Sequence, residues 1–219
     1  MIEYIDLIAF SWLVICWLGY DFLIGSQNKG TCNIATNMYN HISNWMKESI
    51  KRDDRDIDII TITNLIRSAS FFASTSLIII AGLIPMIGYG DKANLFISVL
   101  PYTISNPSPI WEMKTIFLLL IFANAFFKFS WSLRQYNYAS IMVVSAPKKG
   151  KINEIAENNA KILANANRHF NMGIRCFYFA TATLAWYLNP YLLIFTSSLV
   201  SFIIIRRDFL SKALKIIRN

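Results

Sequence analysis

Apolar residues in this chain gather into long blocks, and the blocks alternate with basic, polar stretches. Crossing a bilayer core of roughly 30 Å takes about 20 apolar residues in a helix. Residues 5–24, 66–89 and 112–136 satisfy that length. Residues 171–188 and 191–206 form a fourth and a fifth block, split by Asn189-Pro190. The residue before a proline is pushed out of the helical region, so this pair is expected as a helical hairpin. Residues 93–104 are apolar but short and contain Pro101, which suits an interfacial or re-entrant piece better than a further span. The run Asn106, Pro107, Ser108, Pro109 then marks a loop. The fold class predicted is all-α: a polytopic transmembrane helical bundle of about five spans, forming one membrane domain over residues 1–219.

The polar stretches have a pattern of their own. Ile34, Met38, Ile42, Trp45, Met46 and Ile50 recur at three- and four-residue steps, opposite Asn40, Asn44, Lys47 and Lys51. That periodicity predicts an amphipathic helix over 33–52 suited to a membrane surface. A weaker version covers 152–168, and a short basic tail covers 207–219. Packing against the bundle or lying on head groups is the plainer reading for all of them. Small residues on the second span (Ala69, Ser70, Ala73, Ser74) favour close helix approach.

Charge gives these spans a direction. The chain has 21 Lys and Arg against 13 Asp and Glu, a formal charge of +8. Lys92 and Lys114 alone fall in segments assigned to the outside, so the positive-inside rule puts the N-terminus out and the C-terminus in. The expected location is a bacterial inner membrane. Basic residues that alternate with apolar spans point to anionic head groups as partners, not to nucleic acid. Glu3 and Asp6 stand where a signal peptide would carry basic residues, so no cleaved leader is expected.

Composition fits this picture, at 55% hydrophobic, 15% aromatic and only 16% charged residues. Three cysteines (Cys16, Cys32, Cys176) without a CxxC spacing, and two isolated histidines (His41, His169), predict neither metal nor cofactor. No serine has a placed base and the spans hold no carboxylate pair, so an enzyme is the least favoured class.

Polar groups inside spans are expensive and tend to face the bundle interior. The third span carries Asn124, Lys128, Ser132 and Gln135 on one face, with Arg134 beside them. Arg67 opens the second span, Arg175 the fourth, and Asp21 ends the first. With the assigned topology all of these collect at the cytoplasmic side. One reading is a basic vestibule that binds an anionic solute through Lys128, Arg134, Arg175 and Arg67, with Asp21, Asn124 and Gln135 as polar company. Guanidinium forks match phosphate and carboxylate geometry, which is why arginines suit that task. The plainer reading is that the cations snorkel to head groups or pair with Asp21 to staple the helices. Lys128 is the residue that reading explains least well.

Four segments carry a family resemblance: FFASTSLIIIAGLI (71–84), FKFSWSLRQYNYAS (127–140), FNMGIRCFYFATATLAW (170–186) and RRDFLS (206–211). Together they resemble the uncharacterised membrane family of bacteria and plants known as domain of unknown function 599. The resemblance implies a small multi-span membrane protein and no particular activity. Two functions stay open: a small oligomeric channel or transporter subunit for an anionic solute, and a non-catalytic structural or accessory subunit. The second would bind lipid or a larger membrane complex. Either fits a homo-oligomer.

The topology has a direct test. A membrane-impermeant thiol reagent applied from outside should label a cysteine placed at Asn106 and spare one at Lys149. Labelling at Lys149 would end the five-span arrangement.

Overall fold

The computed structural model describes residues 4–25, 34–97, 99, 108–147 and 152–217, with side chains for all of these except 21–25, 35, 36, 94, 96, 97, 108, 212 and 213. Among the described residues there is no strand. The order is α1 (Tyr4–Gly25), α2 (Ile34–Lys51), α3 (Asp56–Leu83), α4 (Gly90–Ile97), α5 (Ser108–Val144), α6 (Ile152–Leu184), α7 (Pro190–Leu210) and α8 (Lys212–Ile217). The all-α reading of the sequence holds. Among the described residues two helices are long and apolar enough to cross a membrane, Asp56–Met86 with 31 residues and Pro109–Val144 with 36. A shorter apolar helix covers Tyr4–Tyr20. Only 22% and 33% of the two apolar windows are buried, so much of their apolar surface is not covered within the chain.

Helix ends follow the local chemistry. α3 runs into a 3-10 turn at Ile84–Met86 where Pro85 withholds a backbone donor, and Gly88 follows with φ +87°. A left-handed φ of that kind is cheap only for a residue without Cβ. α6 closes with a 3-10 turn at Ala185–Tyr187, and α7 starts on Pro190, whose fixed φ suits a first helical position. Residues 93–104 lie partly in α4, while 98 and 100–107 fall outside the described residues.

α5 and α6 are longer than the blocks expected from hydropathy. At 37 residues α5 extends roughly 55 Å. α6 joins the expected surface segment 152–168 and the expected apolar span into one 33-residue rod, because no proline separates them.

The chain forms two compact units, and α3, α5, α6 and the end of α7 contribute a stretch to each. One unit comprises Met1–Asn28, Ser76–Ala125 and Ile174–Arg207. Its core is Ala9, Leu13, Tyr20, Phe179, Trp186, Leu193 and Ile204. Trp12 Nε1 donates to Ser198 Oγ at 2.9 Å, joining α1 to α7. Thr196 Oγ1 donates to the Ala182 carbonyl at 3.2 Å, joining α7 to α6 as the hairpin requires.

The other unit comprises Lys29–Thr75, Phe126–Gly173 and Asp208–Asn219. α2 behaves as its periodicity predicts: Ile42, Met46 and Ile50 are buried, while Asn40, Asn44 and Lys51 are exposed. Asp58, buried in the first turn of α3, accepts from Trp45 Nε1 (2.6 Å), Ser49 Oγ (2.7 Å) and Arg52 Nη1 (3.1 Å). A carboxylate there also meets the positive end of the helix dipole. Arg55 then caps two helices at once. Its Nη1 donates to the carbonyls of Val143 (2.7 Å) and Ala146 (2.8 Å), and its Nη2 to that of Ile50 (3.2 Å). These carbonyls lie in the last turns of α2 and α5 and just beyond α5, where acceptors lack full intrahelical pairing.

Alanines let α5 and α6 approach in this unit: Ala139 shares one buried cluster with Ala156, Ala160 and Ala166. Ser132 Oγ donates to the Ala166 carbonyl at 2.8 Å, and Tyr136 OH bonds Asn167 Oδ1. Gly173 is required by this approach, since a Cβ there would lie 2.6 Å from the ring of the fully buried Phe129. Gly173→Ala should therefore cost about 1–3 kcal/mol, the usual range for overpacking. Unfolding in mild detergent would show it as a lowered midpoint, partly restored by adding Phe129→Leu. An unchanged midpoint in Gly173→Ala would mean that these helices do not pack so closely.

Candidate functional site

The residues of the expected basic vestibule divide between the two units. Arg67 and Arg134 are exposed, on α3 and α5. Arg134 lies with Phe127, Trp131, Asn137 and Tyr138 along an open groove on one face of α5. Lys128 is half-buried. Burial, with the nearby Lys128 and Arg168 charges, holds the His169 imidazole below its ordinary range. Gln135 is buried, and among the described residues neither end of its amide has a hydrogen-bond partner.

In the other unit, Arg175 is buried with its guanidinium 5.0 Å from the centre of the Tyr20 ring, a cation–π contact. Asn124 Nδ2 donates to Cys176 Sγ at 3.7 Å. The Asp21 side chain lies outside the described residues, so its expected pairing is not placed.

A second polar site, not among the residues the sequence singled out, is built around Lys114. Its side chain is 0% exposed, on the second turn of α5. Nζ donates to the Trp186 carbonyl at 2.9 Å and lies 3.4 Å from Asp6 Oδ1. Trp186 Nε1 donates to the same oxygen at 2.7 Å. Lys114 Nζ also sits 5.1 Å from the centre of the Trp186 ring. Each group is thus held by the other two.

Helix ends explain the arrangement. Asp6 lies in the first turn of α1, where a negative charge is favoured, and the Trp186 carbonyl lies just past α6, where a positive one is. Beside this cluster Tyr187 OH donates to Thr115 Oγ1 at 3.0 Å, and Thr115 Oγ1 to the Trp111 carbonyl at 3.0 Å. A cavity of about 280 Å³ adjoins it, with Asp6, Lys114 and Trp186 at the polar end. Phe10, Ile110 and Phe117 form the walls.

Sequence reasoning passed over Lys114 because a lysine at the edge of an apolar block reads as an interfacial flank. Asp6 had weighed only against a leader peptide. One signal was present: both lie at the same expected end of their spans, and opposite charges in apolar surroundings are cheap only when paired.

A family model described as "Protein of unknown function, DUF599" matches residues 8–213, nearly the whole chain and all four segments noted in the sequence. No curated protein and no solved structure matches.

Trp186→Phe keeps an aromatic ring and removes the Nε1 donor to Asp6 together with part of the indole's volume. Hydrogen bonds to charged groups contribute about 1.5–3 kcal/mol, so a loss in that range is expected in detergent unfolding. Tyr187→Phe, which ends a bond between two neutral hydroxyls, should cost about 1 kcal/mol. Equal losses in the two variants would contradict a charged acceptor at Asp6.

Proposed function

The chain belongs to the DUF599 family, whose description assigns no activity, and we propose that it is a five-span membrane protein with a non-catalytic structural or accessory role. In this reading its basic inner half binds anionic lipid head groups. The outward apolar faces of α3 and α5 support insertion: Phe71, Ile78, Leu120 and Phe127 are all exposed. A water-facing surface rarely gathers so many large apolar groups.

The observation that carries the lipid reading is the setting of Arg134. It is exposed on α5 with Trp131 three residues before it and Tyr138 four residues after, and both rings are about half exposed. Those spacings put all three on one helix face. Indole and phenol rings favour the head-group level, and a guanidinium beside them can hold a lipid phosphate by paired hydrogen bonds. Arg67, on α3, is a second exposed arginine. A homo-oligomer or a larger membrane complex fits this role.

Transport of an anionic solute is the second reading. The buried Gln135 amide, without a hydrogen-bond partner among the described residues, favours it, because Gln135 shares a helix with Lys128 and Asn124.

Binding to vesicles separates the two. Each cation near an anionic surface contributes about 1 kcal/mol, so Arg134→Gln should weaken binding of phosphatidylglycerol by roughly fivefold and leave phosphatidylcholine unaffected. Proteoliposomes should show no anion flux. An anion flux that Lys128→Met abolishes, with lipid preference unchanged in Arg134→Gln, would replace the lipid reading with the transport one.

A further inference from the structure

The Asp6–Lys114–Trp186 cluster is more than a staple, because a cavity opens onto it. The rim of that cavity is made by Leu7, Met113, Ile116 and Leu120, and all four are exposed, Met113 at 53% and Leu120 at 58%. Since the faces of α1 and α5 that carry this rim are apolar, the mouth opens toward the acyl chains of a bilayer. This step rests on the membrane reading above. A ligand that enters there has to be apolar over most of its length. At about 280 Å³ the space lies just below the ordinary range of small-molecule pockets, roughly 300–1,000 Å³. It takes one chain or ring system and not a whole two-chain lipid.

The polar end sets the head group. Asp6 is 5% exposed, and both the Trp186 donor and the Lys114 ammonium approach its Oδ1. Among the described residues Oδ2 accepts no hydrogen bond, and an ionised carboxylate can only accept. The free position therefore calls for a donor. A cationic head would meet Lys114 beside it, and an anionic head would meet Asp6, so the pair discriminates against net charge of either sign. We propose that this cavity is a binding site, entered from the bilayer, for a single-chain amphiphile with an uncharged hydroxyl or N–H head that donates to Asp6 Oδ2.

The test uses the full chain in lipid nanodiscs with four ten-carbon probes: decane, 1-decanol, decanoate and decylammonium. The proposal expects 1-decanol to raise the unfolding temperature saturably, with at least tenfold tighter apparent binding than decane, and the two ions to act no more strongly than decane. Met113→Trp places a larger side chain on the exposed rim, where folding tolerates it, and should abolish the 1-decanol effect. Equal shifts from decane and 1-decanol would overturn the proposal, as would a full 1-decanol response in Met113→Trp. Alkaline carbonate keeps the two claims apart. Release of the chain from membranes would overturn the membrane reading and this site with it. Retention without a shift specific to 1-decanol would overturn the site alone.

Discussion

An ammonium group with no solvent exposure has to be matched by acceptors at the place where it is buried, and Lys114 meets that demand with parts of three helices. Its own helix, α5, brings Nζ to the carbonyl of Trp186 at the end of α6 and to the carboxylate of Asp6 in α1. Each contact also lies at the helix end whose dipole favours it. Fixing those three points fixes the relation of α1, α5 and α6 in their unit, and the core of Ala9, Leu13, Phe179 and Trp186 packs around it. The other unit solves a similar problem in a similar way. There Asp58 is buried at the start of α3 and receives an indole donor from Trp45, a hydroxyl from Ser49 and a guanidinium from Arg52. In both units a tryptophan Nε1 donates to an aspartate, and that one donor both satisfies the carboxylate and covers it with an apolar ring.

Much of the helical content could be read from the sequence, for a physical reason. Blocks of apolar residues as long as those around Ile78 and Leu120 have few outcomes other than helices, since each backbone donor and acceptor must be satisfied within its own segment. The helix end before Pro190 was also legible, whereas the expected span over 66–89 runs past Pro85, where α3 in fact gives way to a 3-10 turn. The true extent of α5 and α6 was not legible either. Hydropathy reports where apolar residues stop, while a helix stops where hydrogen bonding or backbone geometry does, and nothing around Arg168 or Asn171 interrupts α6.

The candidate site was legible in composition and not in direction. Arg67 and Arg134 stood out as cations within spans, but a turn of about 100° per residue decides whether such a side chain meets the interior or the lipid. The exposed faces they occupy depend on tertiary packing. Gln135 did read correctly as an interior group. Asp6 and Lys114 are far apart along the chain, and only the fold brings them together. The functional emphasis moves accordingly. Exposed arginines beside aromatic rings suit lipid head groups, whereas the buried charge pair suits helix assembly and a small uncharged ligand.

The pairing of Asp6 with Lys114 is the claim on which the arrangement of that unit rests, and a double-mutant cycle measures it. Asp6→Asn and Lys114→Met are compared singly and together by reversible unfolding in mild detergent. Removing one member of a buried pair leaves the other uncompensated, so each single change should cost about 3–5 kcal/mol. The double variant should cost far less than the two losses combined, giving a coupling of about 2 kcal/mol or more. Strictly additive losses would contradict the pairing.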